Sequence, residues 1–486
     1  MCPGPPAGGL TTSWAACSVG LDPTKQGGDL LWTLAAALPD LSCAPSADAY
    51  TVELALGPTG DVAVGSLCSG YVGDESLAIS FNGSGNYLQN YTLGGYGGCS
   101  QILGIDRNHD LVVISEWPEQ LQDDDATAAV IGPGGSSFSW SVSGYSSFGL
   151  PPLLGPTWDS DAFGNFFLLG NAGGVTLLSS TPTLPGAGTE LLRGGAMGES
   201  YQGNFSGSFV ADQTGGVYRF DALASTLDLG CGPMVPVSAA SAYLARIGPT
   251  WGCVYSRVLP ASVSVLADTS GNATLVASST SSLDLGCGAL AAAAGGSTFV
   301  TRLDAAGSCV FGRSLPAPGL TVALDPTGNV VVSGLVGATA VDLGEGPLAP
   351  LGSEDFVLAE LDASGNPLWS RRFGGVGITF ASPSVSTSAA GDVYLLTGWS
   401  GAVDLGGGPL SAATGDTVVG SFSSSGAPRW SRGFQFPAGA QVGIDGCGAL
   451  VVATETNFNP GCGNILPPNP VAFDGVPYIA VARFAP

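Results

Sequence analysis

The hexapeptide LDLGCG occurs twice, at Leu227–Gly232 and Leu283–Gly288, and each copy is followed at the same distance by a second cysteine, Cys253 and Cys309. Thiols at such spacings hold a metal or form disulfides. Zinc sites need clustered cysteine or histidine ligands; this chain has no CxxC pair and one histidine, His109, among its eleven cysteines. Disulfides in an oxidising compartment are the expected chemistry. Two blocks further along, Glu345 and Pro367, then Gly407 and Pro428, occupy the equivalent places, so both cysteines are present or both absent. A bond within each block predicts that pattern, so Cys231 is expected to pair with Cys253 and Cys287 with Cys309, each closing a short loop that stabilises by about 3 kcal/mol.

Other chemistry is harder to assemble. A triad hydrolase needs a base beside its nucleophile, and His109 stands alone in the turn-like stretch DRNHD. The chain carries no GxSxG or HExxH motif, and its many glycine clusters give phosphate-cradle matches little weight. Asp106, Asn108 and Asp110 have the alternate spacing of a calcium loop, but Leu111 replaces the glycine and Ile114 and Trp117 fill later ligand places. An ordinary turn is the simpler reading, and the acidic run Gln122–Asp125 reads as a solvated loop. Asp228, Asp284, Asp342 and Asp404 recur in xDLGxG. A carboxylate repeated block by block serves each block rather than one glycosidase centre. No cofactor or metal site is expected. Trp32, Tyr255, Phe311, Trp369 and Trp430 also recur and are expected to pack between blocks, with a sugar-stacking platform as the alternative. The Asn-x-Ser/Thr sites at Asn82, Asn90, Asn204 and Asn272 are expected to be incidental.

The elements that must position these residues follow from composition and self-similarity. The formal charge is −25 and Lys25 is the sole lysine, so a nucleic-acid footprint is missing. No apolar run is long enough for a membrane-spanning helix. Glycine is dense, at 76 residues, while apolar residues make up 45%, which favours short strands joined by tight turns over disorder. In Val322–Gly375 the strand VALD leads through PTGN into VVVSGLV. VDLGEGPL follows, then FVLAELD, the turn ASGN and PLWSRRF. Asp caps the turns and Gly or Asn tolerates positive φ. First-turn anchors recur at Gly57–Gly60, Asp106–Asp110, Asp161–Gly164, Asp212–Gly216, Asp268–Gly271, Asp325–Gly328, Ser388–Gly391 and Asp445–Gly448.

Blocks of four strands cannot bury their faces alone and must stack on copies of themselves. The expected fold is all-β: a β-propeller of eight four-stranded blades beginning near 52, 101, 157, 208, 264, 321, 384 and 441. The last block ends at YIAVARFAP, which matches a third strand. Gly27–Ala36, with Trp32 in the place of Trp369, is expected to supply the fourth and close the ring. Residues 1–26 form an N-terminal tether and 27–486 a single propeller domain.

The pattern Asp-x-x-Gly-Asn, VDLGxGPL, FVxxLDxSGxxLWSRxFGG resembles the SBBP-type bacterial β-propeller repeat family, common in exported proteins of myxobacteria and related groups. The match is close in Val322–Gly375 and Val385–Phe434, good in Phe209–Leu259 and Val265–Leu315, and weak before Pro156. The resemblance implies an extracellular propeller and carries no common catalytic motif.

Cys68 and Cys99 are expected to join. Cys447–Cys462 with Cys17–Cys43 is the preferred solution for the next four; a cross-pairing that staples the N-terminal strand to the last blade is its rival. Cys2 is left over, in a stretch, CPGPPAGGL, that looks like the tether of a lipidated bacterial protein. An export signal removed ahead of it is expected. Taken together, these readings describe an exported, non-catalytic scaffold at the cell surface. Its loops would contact protein or glycan, and it would meet the membrane only through a lipid anchor at Cys2. A propeller enzyme acting on polysaccharide and a self-associating surface component are the alternatives.

Overall fold

A computed structural model describes residues 30–37, 51–57, 60–67, 76–93, 99–105, 111–117, 124–131, 137–145, 158–160, 166–172, 174–180, 208–250, 252–381, 383–436, 440–454 and 478–485. Among these residues there is no helix; antiparallel sheets account for the regular structure. The chain forms two compact units, 1–154 together with 435–486, and 155–434.

In the second unit, successive four-stranded sheets follow one another along the chain. The first is Ser208–Ala211, Val217–Ala222, Ala242–Ile247 and Cys253–Leu259. Next come Ser264–Ala267, Ala273–Ser279, Ser297–Leu303 and Cys309–Leu315, then Thr321–Leu324, Val330–Gly337, Glu354–Leu361 and Pro367–Phe373. The last comprises Ser384–Thr387, Val393–Asp404, Pro409–Phe422 and Pro428–Phe434, with Thr379–Phe380 as an extra strand. A three-stranded sheet, Trp158–Ser160, Phe166–Ala172 and Gly174–Ser180, precedes them.

The first strand of each sheet is short and half-exposed, as in Thr321–Leu324, whereas the third is buried along its length: every residue of Ser297–Leu303 is buried. A strand covered on both faces reads as a continuous apolar run rather than an alternation, and FVLAEL has that character. The covering surfaces are the neighbouring sheets. One apolar cluster joins Leu244, Leu275 and Phe299; another joins Val300, Val332 and Leu361; a third joins Phe356, Leu395 and Phe422.

In the first unit, Thr51–Leu56, Val62–Leu67, Ser76–Phe81 and Tyr87–Leu93 form one sheet. Cys99–Ile105, Leu111–Trp117, Asp124–Ile131 and Ser137–Tyr145 form a second. A third runs Gln441–Ile444, Leu450–Thr454, Tyr478–Phe484 and, as its fourth strand, the N-terminal Leu30–Ala37. The ladder sets Trp32 opposite Arg483, just as Trp369 stands opposite Glu360 and Phe311 opposite Arg302. The pairing also skips Leu31 in the way it skips Val254, Val310 and Leu368 in other fourth strands. One extra residue at the same place in these outer strands is a repeated bulge, which bends the edge and hinders pairing with another chain. This third sheet packs on the Thr51–Leu93 sheet through Leu31, Val62, Ile79, Val451 and Val481.

Candidate functional site

In each of the four sheets between 208 and 434, the turn after the first strand and the turn after the third lie at one end. The loop between strands two and three leaves from the other end and folds its xDLGxG hairpin back to the start of the fourth strand.

In the xDLGxG hairpin, Asp228 Oδ1 accepts the backbone N–H groups of Gly230 and Gly232 at 2.8 and 3.0 Å. Asp284, Asp342 and Asp404 repeat the arrangement with Gly286 and Gly288, Gly344 and Gly346, and Gly406 and Gly408. Both glycines of the first loop have φ near +100°, at +97° and +101°, so side chains are strained there. These carboxylates are loop anchors, as expected. The loop then lies over the first residue of the fourth strand. In two sheets that residue is a cysteine bonded back to the loop: Cys231–Cys253 and Cys287–Cys309, with Cα separations of 5.5 and 5.1 Å. In the other two it is Pro367 or Pro428, whose ring sits where a Cβ on Gly344 or Gly406 would fall. Disulfide and proline are alternative ways of fixing one contact. Between the hairpin and the third strand, the first sheet exposes Val235 (56%) and Val237 (80%), and the third exposes Leu351 (50%).

The first-turn aspartates bind arginines that reach the next sheet. Asp212 Oδ2 accepts Arg246 Nε and Nη2 at 2.9 and 2.7 Å, and Arg246 Nη1 donates across the seam to the Ala305 carbonyl at 2.7 Å. Asp268 holds Arg302, which donates to the Gly328 carbonyl of the following sheet. Within the first unit, Asp445 Oδ2 accepts Arg483 Nε at 2.8 Å, and Arg483 donates to the Gly83 carbonyl. A Cβ on Gly271 would lie 3.1 Å from Arg246 Nη2, and one on Gly60 would lie 3.0 Å from Arg483 Nη2. The turn glycine therefore leaves room for its neighbour's guanidinium as well as shaping the turn.

A second seam contact pairs the fourth-strand aromatic with the next sheet's other turn. Cβ atoms on Gly307 and Gly365 would lie 2.8 and 2.5 Å from the rings of Tyr255 and Phe311, and Gly426 packs on Trp369 in the same way. The aromatics are wedges between sheets, as expected, and the turn glycines cover the faces that a sugar platform would need. A third contact escaped the sequence reading. Arg257 donates to the Gly307 carbonyl of the next sheet at 2.9 Å; in the equivalent turn, desolvation is outweighed by hydrogen bonds from Asn366 and Ser364, which lower the Asp362 carboxyl, with a smaller contribution from the charge of Arg313, the counterpart of Arg257. The recurrent Arg in CVYSR, CVFGR, PLWSR and PRWSR was the available signal.

One cysteine assignment is corrected. Cys447 is a free, exposed thiol rather than half of Cys447–Cys462. It sits in the Asp445–Gly448 turn, where its sulfur lies against Gly60 and the Arg483 guanidinium. Burial, followed by the charge of Asp445, pushes this thiol above its ordinary pKa. Cys2, Cys17, Cys43, Cys68, Cys462, Asn204 and the stretch 106–110 with His109 lie outside the described residues. So do the side chains of Cys99, Asn90, Trp32, Asp124 and Asp125. Asn82 and Asn272 are tied into turns: Asn82 Oδ1 accepts from Ser84 and Asn86, and Asn272 Nδ2 donates to Asp268. Among the described residues no cluster of three or more His, Cys, Asp or Glu side chains suits a metal ion.

No family model matches the chain, and no curated protein matches it in sequence. Among solved structures it is similar to a eukaryotic initiation factor, with TM-score 0.38 and 10% identity over 81% of this chain and 90% of that one. It is also similar to a mutant apocarotenoid oxygenase from Synechocystis, with TM-score 0.32 and 12% identity over 80% and 95%. A polysaccharide lyase gives TM-score 0.32 and 9% identity over 91% and 90%. Likenesses at this level assign no chemistry to the chain.

Proposed function

We propose that the protein is an exported, non-catalytic binding scaffold: an SBBP-type propeller of eight blades, closed by its N-terminal strand, that contacts protein or glycan through its xDLGxG loops. The observation that carries this reading is the construction of those loops. Their hairpins are fixed by an Asp anchor and a disulfide or proline, while the segments that lead from them into the third strand present Val235, Val237 and Leu351 to solvent. Exposed apolar side chains on a rigid base suit recognition, because contact costs little ordering entropy. The two disulfides support an oxidising compartment, and a lipid at Cys2 would hold the scaffold at the surface. The turn carboxylates and fourth-strand aromatics, the natural candidates for glycosidase chemistry, are engaged in loops and seams.

Co-sedimentation with isolated cell envelopes and with insoluble polysaccharides tests the reading. The native chain is expected to pellet, and Val237→Asp with Leu351→Asp to reduce pelleting at least tenfold without shifting the thermal midpoint. Equal pelleting of the variant would reject these exposed segments as the contact. Release of reducing ends from soluble polysaccharide would replace scaffold by enzyme.

A further inference from the structure

The seam between the 321–373 and 384–434 sheets breaks the arginine pattern. Glu360 stands where Arg246, Arg302 and Arg483 stand in other third strands, and the next sheet's turn carries Ser388 in place of an aspartate. Its side chain is buried, at 0% exposure, beside Asp325 at 6%. The two carboxylates share one donor group: Asn329 Nδ2 lies 3.0 Å from Asp325 Oδ2 and 3.0 Å from Glu360 Oε1. Glu360 Oε2 accepts Trp369 Nε1 at 2.9 Å, and the same N–H reaches across the seam to the Ser424 carbonyl at 3.1 Å. Ser424 is the counterpart of Ala305, the carbonyl that Arg246 contacts. A bond made elsewhere by a permanent cation is made here by an indole whose other partner titrates.

We propose that this seam is a pH-sensitive joint, firm in mildly acidic solution and loosened as Glu360 ionises against Asp325. The groups around it support this. From its own sheet Glu360 meets Asp325, Asn329 and Trp369; Arg372 is engaged by Asp355 at 2.7 Å. Arg371, the counterpart of Arg257 and Arg313, lies two residues past Trp369 on the same strand, and Asp325 is the charge that raises the Glu360 carboxyl. The next sheet contributes Ser388 and Ser424, and its nearby Asp392 pairs with Arg429. On the preceding sheet Arg302 is held by Asp268 and the Gly328 carbonyl. Burial, reinforced by Asp325, raises the Glu360 carboxyl above its ordinary value despite the opposing hydrogen bonds from Asn329 and Trp369. A raised folded-state pKa contributes stability that is fully present below the unfolded value and is lost as pH rises through the folded one.

Hydrogen exchange of the full chain, normalised to intrinsic rates, tests the joint. The turns 388–391 and 423–426 report the Glu360 seam, and the turns 268–271 and 304–307 report the Asp212–Arg246 seam as an internal reference. The ratio of protection between the two sets is expected to fall about tenfold from pH ~4.5 to ~8 as Glu360 ionises. In Glu360→Gln the ratio should stay level. A level ratio in the native chain would overturn the proposal, as would the same fall in Glu360→Gln; the internal reference decides even if that variant does not fold.

Discussion

At the scale of single residues, the rare cations of this acidic chain are used at joints. Arg246, Arg302 and Arg483 are each bound by a turn aspartate and each donate to a backbone carbonyl of an adjacent sheet. Removing one partner of a buried pair leaves the other charge stranded, which costs about 3–5 kcal/mol. Arg302→Ala is therefore expected to lower unfolding stability by that amount, read from denaturant midpoints, whereas a change at exposed Arg429 should stay within about 0.5 kcal/mol. The aspartates were legible as turn residues because Asp before Gly has a local signature. Their second role was not, because the arginine arrives from a strand more than thirty residues later and a lone Arg in a strand reads as a solvated edge. Glu360 was equally silent: only the alignment of third strands in space shows that it replaces an arginine.

At the scale of elements, the xDLGxG loop and the strand it leans on form one unit, closed by either a disulfide or a proline. Loss of the Cys287–Cys309 bond by Cys287→Ser with Cys309→Ser is expected to cost about 2–4 kcal/mol. Asp284→Ala, which strands two backbone N–H groups, should cost about 1–3 kcal/mol. Both changes act on one loop, so the combined variant should fall short of the sum; equal additivity in thermal or denaturant unfolding would argue that anchor and disulfide are independent. The joint presence and absence of cysteines made these two bonds readable before any coordinates. That logic did not reach Cys447, which has no repeated partner place, and its preferred pairing was not legible.

At the scale of the whole molecule, the N-terminal strand is the least local feature and was nonetheless legible, because Trp32 copies the fourth-strand aromatic and the last block lacks its own fourth strand. Leu30–Ala37 covers Tyr478–Phe484, which would otherwise be an exposed apolar edge. Deleting residues 1–37 removes buried Leu31, worth about 2–5 kcal/mol even as a truncation to Ala, and frees that edge. Light scattering is expected to show concentration-dependent association of the shortened chain, reversed by a synthetic peptide spanning 27–38; a monodisperse shortened chain would contradict the role given to the strand.

The reading of an exported scaffold rests on the state of four thiols. The most direct measurement is alkylation of protein isolated from its native host, without reductant, followed by peptide mass spectrometry. The account predicts that Cys231–Cys253 and Cys287–Cys309 are recovered as intact disulfide-linked peptides while Cys447 carries the alkyl group. Alkylation of Cys231, Cys253, Cys287 and Cys309 in the unreduced protein would place the chain in a reducing compartment and contradict the account.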